Sequence, residues 1–186
     1  MPEPQADNEQ VRDAIVEQFA RWTAVSALRS GAPIKSADAI CRVIDNLKAD
    51  VVFDTSLGPL SVEEFDAWHE VEVGRAMECE PRLEGQVGWA AKILNVYLKT
   101  RVYVAGQGRW GAIDAIHPPV DSGLWRGVRS EFSGRPHILS KTHCVAKIKD
   151  ISNYSTYQRL IEGFREVANL GRCRLIEVEQ YWAWAD

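Results

Sequence analysis

Lys92 and Asp121 are the two residues of this 186-residue chain whose types and settings could do chemistry together. Lys92 lies in "GWAAKILNVYLKT", residues 88–100, and Asp121 closes "HPPVD", residues 117–121. A lysine amine becomes a nucleophile once it loses its proton, which desolvation or a nearby cation favours. Trp89, Ala91 and Ile93 flank Lys92 and allow partial burial. An aspartate at a helix N-terminus is favoured in its charged form by backbone N–H groups and the helix dipole. The plain alternative is a solvated lysine and an ordinary helix cap, although a capping carboxylate can also face a cleft. His117 reads as a loop histidine. His137 and His143 stand six apart beside Cys144, which is not a metal-ligand spacing, so neither metal nor cofactor is expected. P-loop, dinucleotide and common hydrolase motifs are absent from the sequence.

These residues need elements to position them, and the helical period dominates the chain. Val11, Ile15, Phe19 and Trp22 form the stripe of a first amphipathic helix, and Ser36 caps a second carrying Ile40, Val43, Ile44 and Leu47. "VVFDTSLGPL" reads as a brief strand or extended loop. Ser61 and Glu64 fit a capping box for a helix that ends before Pro81. Val87, Ala91, Leu94 and Leu98 then form one apolar stripe, with Lys92, Asn95 and Lys99 on the other face. Three glycines make residues 105–113 a loop, and Pro118 and Pro119 impose an extended approach to Asp121. Leu124, Val128 and Phe132 resume helical spacing. Helices over 86–99 and 122–132 are expected to pack against each other. Residues 137–150 read as helix, and Ser155 with Gln158 as a capping box for the next. The tail 173–184 suits helix or strand. Trp22, Trp68 and Trp182 read as core, whereas Trp89, Trp110 and Trp125 lie where base stacking is conceivable. The expected architecture is mainly α, a single multi-helix domain over 1–186.

Composition bounds the partners. No apolar run approaches the roughly 18 residues of a membrane span, and the acidic, polar start is no secretory signal. A soluble cytoplasmic protein without membrane contact is therefore expected. Cys41, Cys79, Cys144 and Cys173 are widely spaced and read as free, mostly buried thiols. The net charge of −4 hides an acidic half and a basic middle. Residues 1–85 hold 8 Lys/Arg against 17 Asp/Glu, and residues 86–149 hold 10 against 3. The basic middle points to DNA or another anionic partner, met through a positive surface including Lys92, Lys99 and Arg126. The competing expectation is that acidic and basic segments neutralise each other.

"LEGQVGWAAKILNVYLKT" followed by "HPPVDSGLWRGV" resembles the core of the helix-hairpin-helix DNA glycosylase superfamily. Gly88, Lys92, Asn95, Val96, Leu98 and Thr100 stand where the endonuclease III branch has its G-x-x-x-K-x-x-N-V-x-L-x-T pattern. The resemblance spans residues 83–128 and lacks the Leu-Pro-Gly-x-Gly hairpin and the iron–sulfur cysteines. It implies a glycosylase/lyase in which Lys92 forms a Schiff base and Asp121 stabilises charge at the sugar. It also implies that Gly85 and Gly88 hold a DNA phosphate through backbone amides, with Asn95, Lys99 and Arg126 on the nucleic-acid face. The alternative from a different class is a non-catalytic helical binding module for nucleic acid or a protein partner. The separation of Lys92 from Asp121 discriminates the two.

Overall fold

The fold is organised around one helix that water scarcely reaches. A computed structural model describes residues 4–28 and 31–183, with only the backbone of 4–7. Every residue from Val87 to Leu98 except Val96 is buried. That stretch is α5, and its apolar character on nearly all sides is what a central helix requires. Around it lie α1 (Pro4–Ala27), α2 (Ala37–Asp45), α3 (Asp50–Phe53) and α4 (Val62–Cys79) from the N-terminal side. α6 (Ala112–Ala115), α7 (Ser122–Glu131), α8 (Pro136–Thr142) and α9 (Tyr154–Gly171) follow. Short 3-10 turns occupy Pro81–Leu83 and Ile148–Asp150, and a longer 3-10 run spans Leu175–Tyr181. The architecture is all-α, with no strand among the described residues. No helix among them is long and apolar enough to cross a membrane.

Local chemistry explains most boundaries. Ser36 accepts from Ala39 N at the head of α2, and Ser61 accepts from Glu64 N at the head of α4. The Glu64 side chain leaves that box and pairs instead with Arg109 at 2.7 Å. Arg109 is buried in the glycine loop, where it also donates to the Val51, Leu57, Gly58 and Pro59 carbonyls. The loop can fold around it because Gly106, Gly108 and Gly111 all take left-handed φ. α5 runs on into a π-helical turn, Lys99–Val104.

Several expectations are corrected. The Val11, Ile15, Phe19 and Trp22 stripe of α1 faces outward, while Ala20 and Ala24 of α1 and the Leu28 that follows it are buried, and α1 packs on α5. Trp22 is therefore not core, nor is Trp182, which is 36% exposed. Residues 50–53 are a helical turn rather than a strand, and the helix at 137–150 ends at Thr142. α9 is capped by Asn153, which accepts from Thr156 N, so Ser155 and Gln158 do not form the box. Of the ambiguous tail 173–184, Leu175–Tyr181 form the 3-10 run, and residue 184 lies outside the described residues. The other face of α5 is not a solvated one, and Asn95 on it is wholly buried. α7 packs chiefly on the 3-10 run rather than along α5. All four cysteines are unpaired and half-buried.

Candidate functional site

Asp121 caps α7 with the extended backbone usual at an N-cap (φ −150°, ψ 179°). Its Oδ1 accepts from Gly123 N at 2.9 Å, Leu124 N at 3.0 Å and the Trp182 indole Nε1 at 3.0 Å. Oδ2 is turned the other way and lies 3.6 Å from Lys92 Nζ. The carboxylate thus caps a helix with one oxygen and faces the lysine with the other. Lys92 is 9% exposed, and its ammonium sits 5.7 Å from the centre of the Trp89 ring. The Trp89 indole N–H is buried without an acceptor among the described residues, whereas that of Trp125 donates to Thr142 O at 2.7 Å.

Both Lys92 and Asp121 line one cleft of about 1090 Å³. Trp89, Trp125 and Trp182 contribute aromatic wall, as do Phe19 and Trp22 of α1. Arg126, Lys147 and Lys149 also line it, are exposed, and form no ion pair among the described residues. Lys99 lines the cleft too, ion-paired to Glu179. Burial pushes the Glu179 carboxyl above its ordinary value, with Asp121 adding in the same direction and Lys99 opposing. Lys92 and Lys99 thus share the cleft with the carboxylates of Asp121 and Glu179.

The sequence did not point to Glu179 or Trp182. Glu179 arrives on the 3-10 run and Trp182 directly after it, and the run lies close to α7 because α7 offers no side chain there. A Cβ on Gly127 would overlap the Tyr181 carbonyl oxygen, and one on Gly123 would overlap the Trp182 indole. The Gly-x-x-x-Gly spacing of 123 and 127 was the available signal.

Other expected site residues fall elsewhere. Gly85, Gly88 and Asn95 do not line the cleft. Gly88 N donates to Ile151 O at 3.0 Å, and a Cβ there would collide with the Ile148 carbonyl, so this glycine serves close packing and its amide is occupied. Gly85 sits exposed on the turn between α4 and α5 with φ 66°, a conformation that explains the glycine. Lys92 is buried rather than part of an open positive surface, and of the expected trio only Arg126 is freely exposed. Neutralisation between acidic and basic segments is real but partial: Arg101 pairs with Glu17 at 3.0 Å and Arg109 with Glu64.

Asn95 belongs instead to a buried polar chain behind the cleft. Its Oδ1 accepts from His69 Nε2 at 2.9 Å, and its Nδ2 donates to Tyr157 OH at 2.8 Å and Pro118 O at 3.2 Å. The Tyr157 hydroxyl donates to His117 Nδ1 at 3.1 Å, and His117 Nε2 donates to Asp66 at 2.9 Å. Arg165 holds both Asp66 oxygens at 2.7 Å. Tyr154 OH donates to His69 Nδ1 at 2.9 Å. With the one Tyr154 hydroxyl hydrogen on His69 Nδ1 rather than on the Asp66 carbonyl 3.3 Å away, both histidines donate at Nε2, accept at Nδ1 and are neutral, and burial lowers the pKa of each. His117 is thus a satisfied loop histidine, as expected, and it is buried between α6 and α7.

Fold and site define an all-α protein with a lysine–carboxylate pair in an aromatic cleft. The chain matches no known protein family, no curated protein and no solved structure.

Proposed function

We propose that the protein is a DNA base-excision glycosylase/lyase whose nucleophile is Lys92 and whose charge-stabilising carboxylate is Asp121. The observation that carries this reading is their 3.6 Å approach inside a shared cleft. The order of the motif, lysine on a central helix then aspartate at a later helix head, is that of the helix-hairpin-helix glycosylases it resembles. A target base must leave the duplex to reach such a buried amine, and an aromatic cleft suits its faces. Arg126, Lys147 and Lys149 supply the positive charge that a phosphate backbone needs.

The chemistry balances within the pair. Asp121 takes a proton from the Lys92 ammonium, the freed amine attacks C1′ of the sugar, and the glycosidic C–N bond breaks. The bond's electron pair leaves with the base, which receives the proton from Asp121. Asp121 is then a carboxylate again beside the cationic sugar adduct. Ring opening of that adduct gives an imine, which water hydrolyses or borohydride reduces.

The test is borohydride trapping and base release over a panel of oligonucleotides with damaged bases. Wild type should give a covalent adduct on at least one of them. Lys92→Gln should abolish trapping while binding persists, and Asp121→Asn should abolish release. A wild type that releases and traps nothing across the panel rejects the proposal and leaves the helical binding module.

A further inference from the structure

α1 displays apolar surface that the fold leaves unused. Phe19 is 49% and Trp22 62% exposed, yet the helix's own core face is complete without them. Their rings are stacked, with centroids 5.7 Å apart and planes within 18°. Both line the cleft that holds Lys92 and Asp121. On the same cleft, Arg126, Lys147 and Lys149 are exposed cations.

We infer that the Phe19–Trp22 pair is a stacking platform for an unpaired nucleobase of the strand bound in the cleft. This rests on the reading of DNA as the partner. Each feature narrows the occupant. Exposed apolar area at a cleft edge marks a binding surface. Two parallel aromatic rings offer a flat face, which suits another planar ring more than an aliphatic side chain. Cations on the same cleft call for a polyanion, and a nucleic-acid strand combines planar rings with regular negative charge. Bases present such faces only when unpaired, so the surface favours single-stranded or locally opened DNA. Stacking of this kind tolerates any base, because every base has a π-face.

The experiment measures equilibrium binding by fluorescence anisotropy. Two labelled probes of equal length are compared: a thymidine oligomer and the same backbone built of baseless tetrahydrofuran units. Wild type should prefer the thymidine oligomer, and raising salt should weaken both while preserving the preference. Trp22→Ala should weaken thymidine binding roughly 5- to 150-fold, the range for losing one stacked base, and bring it towards the baseless probe. Trp22→Phe should keep most of the preference. Ile15→Ser, on the same exposed stripe but off the cleft, should change nothing. Thermal melts confirm that each variant is folded.

Equal binding of the two probes, indifference to Trp22→Ala, or no binding to either overturns the platform. So does Trp22-dependent self-association in sedimentation without DNA, which would assign the stripe to a second copy. The outcomes separate from those of the excision assay. Trp22-dependent binding without trapping keeps the platform and rejects the glycosylase. Trapping with binding indifferent to Trp22 does the reverse.

Discussion

Asn95 lies three residues after Lys92, and the carbonyl it binds, Pro118 O, lies three residues before Asp121. One buried amide thus ties together the two segments that carry the candidate chemistry. Replacing it strands the His69 N–H and the Pro118 carbonyl in the core, each costing about 1–3 kcal/mol. Asn95→Ala should therefore lower stability by roughly 3 kcal/mol and the melting temperature by roughly 6–12 °C for a chain of this size. An unchanged melt would show that the polar chain is not what holds these segments. Asp121 offers a finer contrast, since asparagine caps nearly as well as aspartate and alanine does not. Asp121→Ala should cost about 0.5–2 kcal/mol, whereas Asp121→Asn should leave the melt nearly unchanged. Equal destabilisation by both would mean that the charge facing Lys92, not the cap, is what stabilises. At this scale the sequence was informative about Lys92 and Asp121, because proline geometry and helix-cap chemistry are local. It misplaced Asn95, because a polar residue at surface spacing looks the same whether its partners are water or groups on two other helices and a loop.

Among the elements, α1 shows how periodicity can find a helix and choose the wrong face. Its large apolar residues, Val11, Ile15, Phe19 and Trp22, carry the pattern, but its buried face is small, with Ala20 and Ala24 permitting close approach to α5. Residue size dominated the reading where contact distance decided the packing. α5 failed in the opposite sense: two lysines and an asparagine suggested a wet side on a helix that is buried almost throughout. The joint between α7 and the 3-10 run was legible only as two glycines four apart. Gly127→Ala should press the Tyr181 carbonyl away, costing about 1–3 kcal/mol and altering the fluorescence of nearby Trp182. Gly134→Ala, with open space around it, is the control and should be near neutral. Equal melts for the two variants would refute the close joint.

The whole molecule carries two buried neutral histidines in contact, their ring centres 4.8 Å apart, with Tyr154, Tyr157, Asp66 and Arg165 around them. Burial lowers both below the ordinary value of 6.5. The unfolded chain therefore takes up protons from about pH 6.5 downward while the folded chain does not. Stability should be level above that pH and fall as pH drops below it, before the carboxylates as a group titrate. Glu179, pushed upward, works in the opposite direction and offsets part of the fall. Melts between pH 8 and pH 5 check this, and a flat profile would count against neutral histidines in the core. The all-α class was legible from the sequence because helix-spaced apolar residues recur along most of the chain. The site's far wall was not, because it comes from residues 175–183, which are far in sequence from Lys92. That separation has a consequence for synthesis. Lys92 leaves the ribosome about ninety residues before the Trp182 that braces Asp121, and Glu179 emerges only shortly before Trp182. A nascent chain can bury α5 against α1 and α4, yet its cleft stays open on one side until the 3-10 run at Leu175–Tyr181 and the Trp182 after it are translated. The pair at its floor is thus completed only once residues 179–182 have been translated.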